Sequence, residues 1–339
     1  MSAKDPTLGV VLTSRVRLAR NLKKMPFPHL LSAQAAQSVV ERVQDALPDG
    51  QYALLWAQQM QDAYKQYLME EHLVSRDWAE SEHGALLLQK NQQTAIMLME
   101  EDHLRIQCML EGLALRAALQ GAQEVSQRIE RQVPFAKTER LGYLTACPSN
   151  VGTGMRASVL LHLPALVLTQ QIGSLMQALK EEGFAVRGIY GEGSDAVGNL
   201  FQISNRISLG KEQTAITAEV TQQVLRVCQR EAQAGEQLRT QNDLALEDRV
   251  YRAYGLLQQA RLMTQEEFMR LWSDAMLGSR LGMLPLRIDA LYRLCRSVQP
   301  GHIENHEQRK PQQRPADQIR AAMCRKATVQ QTELIDEVK

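Results

Sequence analysis

Four short stretches of this chain combine side chains that can do chemistry. Cys147-Pro148-Ser149-Asn150-Val151-Gly152-Thr153-Gly154-Met155-Arg156-Ala157-Ser158 places a thiol, a polar glycine-rich turn and an arginine within twelve positions. Proline holds the residue before it in extended backbone, and the turn leaves backbone N–H groups free to face a ligand. That combination describes an anion site beside a reactive group. Thr13-Ser14-Arg15-Val16-Arg17 sets two arginines two positions apart, so in an extended segment both guanidinium forks point the same way and can grip a polyphosphate. Glu100-Glu101-Asp102-His103-Leu104-Arg105 gathers three carboxylates, with Arg105 returning a positive charge four residues after Glu101. Arg187-Gly188-Ile189-Tyr190-Gly191-Glu192-Gly193-Ser194 brackets a glycine-rich turn with an arginine and a glutamate. Taken one at a time, the last three read as a basic strand, a solvated hairpin turn and a flexible connection. Together they supply arginines at element ends, carboxylates and a thiol, an inventory suited to neutralising a transferring phosphoryl group.

The elements that must position these groups follow from periodicity and punctuation. Ser32 to Leu47 and Asp62 to Leu73 have the spacing of amphipathic helices, the first with Ser32 as N-cap. Ala85 to Leu88, Ala95 to Met99 and Leu104 to Met109 are apolar runs spaced for antiparallel strands. Gly112 to Arg131 reads as a helix, Leu141 to Ala146 as a strand leading into the thiol motif. Met155 to Leu163 and Thr169 to Glu181 read as helices, so Arg156 is expected where a helix begins. Phe184 to Tyr190 and Leu200 to Ser208 read as strands. After Gly210 the pattern is helical, from Glu212 to Arg230 and again from Leu244 to Cys295, with breaks near Thr264 and Pro285. Gln299 to Pro315, polar and proline-containing, reads as a mobile linker. The expected architecture is α+β, an antiparallel sheet flanked by helices over residues 1–230, then a mostly helical domain over residues 231–339.

Composition excludes several classes. Lys and Arg number 39 against 38 Asp and Glu, a net charge of +1, so no global field points to nucleic acid or a membrane surface. No apolar run approaches the ~20 residues of a spanning helix, and the N-terminus lacks the pattern of a signal peptide. The five cysteines are scattered with no CxxC pair, so neither a disulfide framework nor a zinc site is expected and no residue is assigned to metal. A cytoplasmic protein with reduced thiols is the expectation. There is no GxxxxGK[ST] loop, and no HRD or DFG, so neither P-loop nor eukaryotic protein-kinase chemistry applies.

In order and in content, the four stretches resemble the phosphagen (guanidino) kinase family, and most closely its bacterial protein-arginine kinase branch. Arg156-Ala157-Ser158-Val159-Leu160, Gly198-Asn199 and Gln202-Ile203-Ser204-Asn205 extend the likeness. The resemblance implies the phosphagen-kinase catalytic fold, glutamine-synthetase-like, with ATP and Mg²⁺ as cofactors. It implies nucleotide contacts from Thr13, Ser14, Arg15, Val16 and Arg17, from His72 and Arg105, from Arg156 to Leu160, and from Arg187 to Glu192. Glu101 would be the base, Glu192 its partner on the acceptor, and Cys147 a thiolate that orients the guanidinium. The carboxylates fit a chemical need, because a guanidinium is no nucleophile while protonated.

Small-molecule members of the family carry a helical domain ahead of their Ser-Arg-Val-Arg. Here Arg15 stands almost at the start, which implies an open acceptor side and an arginine presented on a protein. The branch's Arg-Asp-x-x-Arg-Ala motif, which reads phosphoarginine allosterically, is matched by Ala316-Asp317-Gln318-Ile319-Arg320-Ala321, with alanine for the first arginine. Asp317, Arg320 and Ala321 carry over, and Arg314 lies near. The resemblance further implies a homodimer through the C-terminal helices, a zinc-binding activator protein and delivery of marked proteins to a Clp-type chaperone-protease under stress. The alternatives are a kinase for a free guanidino metabolite and a non-catalytic phosphoarginine-binding adaptor.

Overall fold

The computed structural model describes residues 5–188, 196–241, 243–307 and 315–336. The strands are β1 (Val11–Arg20), β2 (Tyr52–Trp56), β3 (Ala85–Gln89), β4 (Thr94–Leu98), β5 (Leu104–Glu111), β6 (Lys137–Thr138), β7 (Gly142–Tyr143), β8 (Met155–His162), β9 (Phe184–Gly188) and β10 (Leu200–Asn205). In the first part of the chain the helices are α1 (Ala33–Asp45), α2 (Asp62–Glu70), α3 (Arg76–Glu80), α4 (Leu115–Gln132), α5 (Pro164–Leu168) and α6 (Ile172–Glu181). The second part is helical: α7 (Gln213–Gln241), α8 (Asp243–Gln259), α9 (Gln265–Arg280), α10 (Ile288–Ser297), α11 (Pro300–Glu307) and α12 (Ala316–Asp336). The α+β class and the helical C-terminal part are as the sequence leads one to expect, and α7 runs unbroken through position 230.

The sheet is antiparallel, in the order β2-β3-β4-β5-β1-β8-β10-β9. Strands alternate their side chains between faces, and here the two faces carry different chemistry. Val16, Leu18, Ile106, Ala157, Val159 and Ile203 point to one face and join the main core with residues of α1, α4 and α7. The opposite face is covered over β3 and β4 by Leu68, Leu73 and Trp78, which pack on Leu86, Leu88, Ala95 and Met97. The Trp78 indole N–H donates to Ala85 O at 2.9 Å. Beyond β4 this covering stops, and the same face of β5, β1, β8, β10 and β9 presents polar side chains to a cavity.

Local signals set the helix starts. Ser32 Oγ accepts from Ala35 N at the start of α1, and Thr264 Oγ1 from Glu267 N at the start of α9, each satisfying an N–H that the helix itself leaves open.

Three expectations fail. Met155–His162 is a strand at the centre of the sheet, not a helix. Arg156 and Ser158 face the open side and Met155, Ala157 and Val159 the core; Met, Ala and Leu favour a helix in isolation, and pairing with β1 and β10 overrides that propensity. The strand expected over Leu141 to Ala146 is only the two residues of β7. Part of the expected linker is α11, which packs against α2; residues 308–314, including Arg314, lie outside the described residues.

Candidate active site

The cavity on the open face encloses about 930 Å³ and is walled by Arg15 and Arg17 of β1, Arg105 of β5, Arg187 of β9, His72 and Ser158. Strand register produces the arrangement. Arg17 lies opposite Arg156, Arg15 opposite Ser158, Ala19 opposite Arg105 and Gln202 opposite Arg187. Like charges directly across a strand pair are destabilising, so the sheet accumulates unfavourable positive charge at one place. Burial, and then Arg105, Arg187 and Arg156, push the Arg15 guanidinium down to about 9. Arg17 is pushed well down by burial and then by Arg15 and Arg105. Arg156 is lowered by burial and then by Arg187.

Some guanidinium donors are held and others stand open. Arg156 Nε and Nη2 donate to Ser204 Oγ at 3.2 and 3.1 Å, and Arg187 Nε and Nη2 donate to Gln202 Oε1 at 3.1 and 2.9 Å. Nε of Arg17 and Nε of Arg105 are buried without a hydrogen-bond partner among the described residues. Buried donors without partners carry a desolvation penalty, and a polyanion resting on this wall relieves it together with the repulsion.

Arg105 does pair with a carboxylate, but with Glu100 rather than Glu101. Its Nη1 reaches Glu100 Oε1 at 2.8 Å and Oε2 at 2.6 Å, and Ser75 Oγ also donates to Glu100. The β4–β5 turn places Glu100 inward and leaves Glu101 exposed. Glu101 is therefore unneutralised, and burial together with Asp102 and Glu100 raises its pKa, against Arg105 and the nearby Cys147 thiol. A carboxylate tuned upward is a better proton acceptor.

Cys147 is half-buried in extended backbone, φ −85° and ψ 121°, with its Sγ 3.1 Å from Ser149 Oγ. The turn behind it is locked. Gly152 has φ 114° and a Cβ there would stand 2.7 Å from Leu209 Cα; Gly154 has φ 63° and its Cβ would stand 2.6 Å from Ala19 O. Only glycine fits such positions. Ser208 Oγ donates to Val151 O at 2.9 Å and closes the turn onto the end of β10.

Asp102, next to Glu101, is buried and accepts from Ala146 N at 2.7 Å and from Asn21 Nδ2. Asn21 Oδ1 in turn accepts from His103 N at 2.9 Å. This network ties the turn that carries Glu101 to the segment that carries Cys147. Asp102 is one of the three motif carboxylates and Asn21 follows the first arginine stretch, but the sequence assigns neither a role.

Other expected residues divide by face. Thr13, Ser158, Leu160 and Gly188 line the cavity. Ser14, Val16, Ala157 and Val159 point into the protein: Ser14 Oγ donates to Gly112 O and accepts from Ala114 N, and the other three belong to the core. His72 lines the cavity with left-handed backbone, φ 56°, and burial followed by Arg15 brings its pKa down to about 4. Ile189, Tyr190, Gly191 and Glu192 lie outside the described residues.

Arg320 is buried, with Nε donating to Val298 O and Nη1 to Met263 O and to Asp317 Oδ1. Its Nε and Nη1 donors hold α12 to Val298 and Met263 of the neighbouring segments. Gln107 has no sequence signal beyond its even spacing from Arg105 on β5, and Gln202, named within the likeness, has no role assigned.

The donors suit a nucleotide triphosphate: a cationic wall with unmet guanidinium N–H groups. A protein-held metal is not suited, since no group of three or more His, Cys, Asp or Glu among the described residues could hold one. Among those residues no helix is long and apolar enough to cross a membrane.

Comparison with known proteins agrees with this geometry. The family model described as ATP:guanido phosphotransferase, C-terminal catalytic domain, matches residues 33–234, and the one described as protein-arginine kinase McsB C-terminal domain matches residues 243–337. The chain is 42% identical over 332 residues to a protein-arginine kinase of Bacillus licheniformis, covering 96% of this chain and 92% of that protein. It is likewise 42% identical to one of Halalkalibacterium halodurans, covering 96% and 93%. Among solved structures, a duplicated taurocyamine kinase from Schistosoma mansoni aligns with a TM-score of 0.62 at 22% identity, over 77% of this chain and 40% of that one. A lombricine kinase aligns with a TM-score of 0.57 at 24% identity, over 67% of each chain. These two likenesses concern the fold. With catalytic and C-terminal parts both matched, the chain belongs to the protein-arginine kinases of the ATP:guanido phosphotransferase family.

Proposed function

We propose that this protein transfers the γ-phosphoryl group of ATP to arginine side chains of proteins, giving N-phosphoarginine and ADP. The observation that carries the reading is the arginine-walled cavity lined by Glu101, whose carboxylate meets the Cys147 thiol. Arg15, Arg17, Arg105, Arg156 and Arg187 hold the phosphates and neutralise charge as it moves toward the leaving oxygen. His72, kept neutral by burial, stands at the wall as a nucleotide contact without adding to the repulsion. At the acceptor, Glu101 takes a proton from the guanidinium as its nitrogen attacks the γ-phosphorus. The N–P bond forms, the bond from phosphorus to the β-phosphate oxygen breaks, and the electron pair leaves on ADP. Cys147 faces the guanidinium and orients it; the family likeness assigns Glu192, outside the described residues, as the partner of Glu101 on the acceptor.

Mg²⁺ belongs to this proposal as the companion of the nucleotide phosphates, where it supplies charge neutralisation. So do a homodimer through the C-terminal helices, a zinc-binding activator, a Clp-type protease as recipient of marked proteins, and a cytoplasmic setting in the stress response; these rest on the family likeness. Alanine at 316 and a committed Arg320 weigh against phosphoarginine sensing at Asp317, Arg320 and Ala321. The test is incubation with ATP, Mg²⁺ and an unfolded protein, with phosphoarginine read by mass spectrometry that avoids acid. Modification by wild type and its loss in Glu101→Gln support the reading; no phosphoarginine with wild type refutes it.

A further inference from the structure

The end of α2 is clamped from outside the catalytic sheet. α2 finishes in Glu70, followed by Glu71, and the next residue is His72 at the wall of the arginine-lined cavity. His72 adopts left-handed backbone, φ 56°, a conformation that a non-glycine residue keeps only when its surroundings over-determine it. Two sets of contacts do so. From the sheet, Gln107 Nε2 donates to His72 O at 2.8 Å and to Leu73 O at 3.3 Å.

From the C-terminal helices, Arg296 of α10 grips Glu71, with Nε 3.2 Å from Oε1 and Nη2 on Oε2. His302 of α11 spans both carboxylates: Nδ1 lies 3.1 Å from Glu70 Oε2 and Nε2 lies 2.9 Å from Glu71 Oε1. Glu70 also accepts from the backbone N–H groups of Gly301 and His302 at 2.8 and 3.2 Å. The two carboxylates are 4% and 5% exposed, so the contact is a built joint rather than a surface ion pair. Burial opposes ionisation of Glu71, yet His302 and Arg296 outweigh it and bring its pKa to about 2.

α11 also lies backbone to backbone against α2, where a Cβ at Gly301 would stand 2.6 Å from Tyr67 N. Behind His72 a second cavity of about 410 Å³, lined by Tyr292, Cys295 and Arg296, shares Thr13 and His72 with the first. His72 therefore has room to withdraw if the clamp loosens.

We propose that Arg296 and His302 are positioning residues for phosphoryl transfer: acting through Glu71, they hold His72 at the nucleotide and let the C-terminal helices set nucleotide affinity. This rests on the reading of the first cavity as the nucleotide site. The test uses the full chain, with a fluorescent ATP analogue titrated in the absence of acceptor and initial rates measured against ATP and against a protein acceptor. Arg296→Gln and His302→Gln are compared with Arg293→Gln, an exposed neighbour that pairs within its own helix.

The expected result is a rise of about fivefold or more in both the analogue Kd and the KM for ATP in the first two variants. kcat at saturating ATP and the KM for the acceptor stay within about twofold of wild type, Arg293→Gln matches wild type, and Arg296→Lys falls between wild type and Arg296→Gln. If Arg296→Gln does not fold, His302→Gln carries the test, since it leaves the Arg296–Glu71 pair in place. Folded variants whose ATP Kd stays within about twofold of wild type, or whose kcat falls with KM unchanged, overturn the proposal while leaving the kinase reading intact. A wild type that does not bind the analogue overturns both.

Discussion

Arg15→Met makes the protein more stable and less able to bind ATP, and the structure gives the size of both effects. Burial and the neighbouring arginines push the Arg15 guanidinium down to about 9, and a guanidinium nevertheless keeps its proton in proteins. The penalty is therefore stored as lost stability. Taken in full, the displacement corresponds to about 5 kcal/mol, an upper bound because Arg15 keeps partial access to water and water screens the repulsion. A gain of about 1–2 kcal/mol is the working figure for Met, which retains most of the stem's packing; for a chain of this size that raises the melting temperature by about 1–3 °C. Losing a charge-assisted contact to phosphate weakens ATP binding by about 1.5–3 kcal/mol, about 10- to 100-fold in Kd. The assay is thermal unfolding with and without ATP. Wild type at 100 times its Kd gains about 2.7 kcal/mol; at the same concentration the variant keeps about 0.4–1.4 kcal/mol. An apo variant that melts below wild type, or one with an undiminished ATP shift, refutes the argument that the arginines are mutually destabilised to receive an anion.

Three further outcomes follow from the same geometry. Cys147→Ser lowers kcat by about tenfold and leaves ATP binding unchanged, because the thiol orients the acceptor; an intact mass increased by a phosphoryl group on Cys147 under ATP would contradict this. Asp102→Ala removes the acceptor for Ala146 N and Asn21, so it destabilises by about 2–3 kcal/mol in denaturant unfolding and lowers kcat as the Cys147 segment drifts from Glu101. His302 faces Glu70, Glu71, Arg296 and the edge of Tyr67. Burial alone would lower its pKa, but the bonds to Glu70 and Glu71 raise it to about 9. Its contribution, about 2–3 kcal/mol, is thus complete below the ordinary histidine pKa of about 6.5 and lost as pH rises through about 9. Unfolding of wild type and His302→Gln should differ most near pH 6 and converge near pH 10; a constant difference contradicts the assignment.

Much of the site was legible because its residues repeat with period two. Arg15 and Arg17 on β1 declare a shared face without any tertiary information, and the same period on β5 carries Arg105 to Gln107. The proline after Cys147 and the glycines at 152 and 154 announce the locked turn. Registers were not legible: that Arg17 meets Arg156, and Gln202 meets Arg187, depends on pairing between segments far apart in sequence.

β8 misled for a physical reason. Its Met, Ala and Leu favour a helix when isolated, and the alternation of Arg156 and Ser158 with Met155, Ala157 and Val159 spans too few residues to outweigh them. That Glu100 rather than Glu101 pairs with Arg105 depends on the β4–β5 turn, which places Glu100 inward. The Glu71–Arg296–His302 joint had no signal at all, since it links residues 225 and more positions apart.

The central claim is that one sheet face brings a phosphate-binding arginine cluster to the Glu101 carboxylate, which accepts the guanidinium proton. Wild type and Glu101→Gln, each given ATP, Mg²⁺, an unfolded arginine-containing protein and, in parallel, free arginine, test it directly when phosphoarginine is quantified under non-acidic conditions and ATP binding is measured alongside. The account predicts phosphoarginine on the protein with wild type, little on free arginine, and a loss of about 10²-fold or more with Glu101→Gln at unchanged ATP affinity. Undiminished phosphorylation by Glu101→Gln would contradict it.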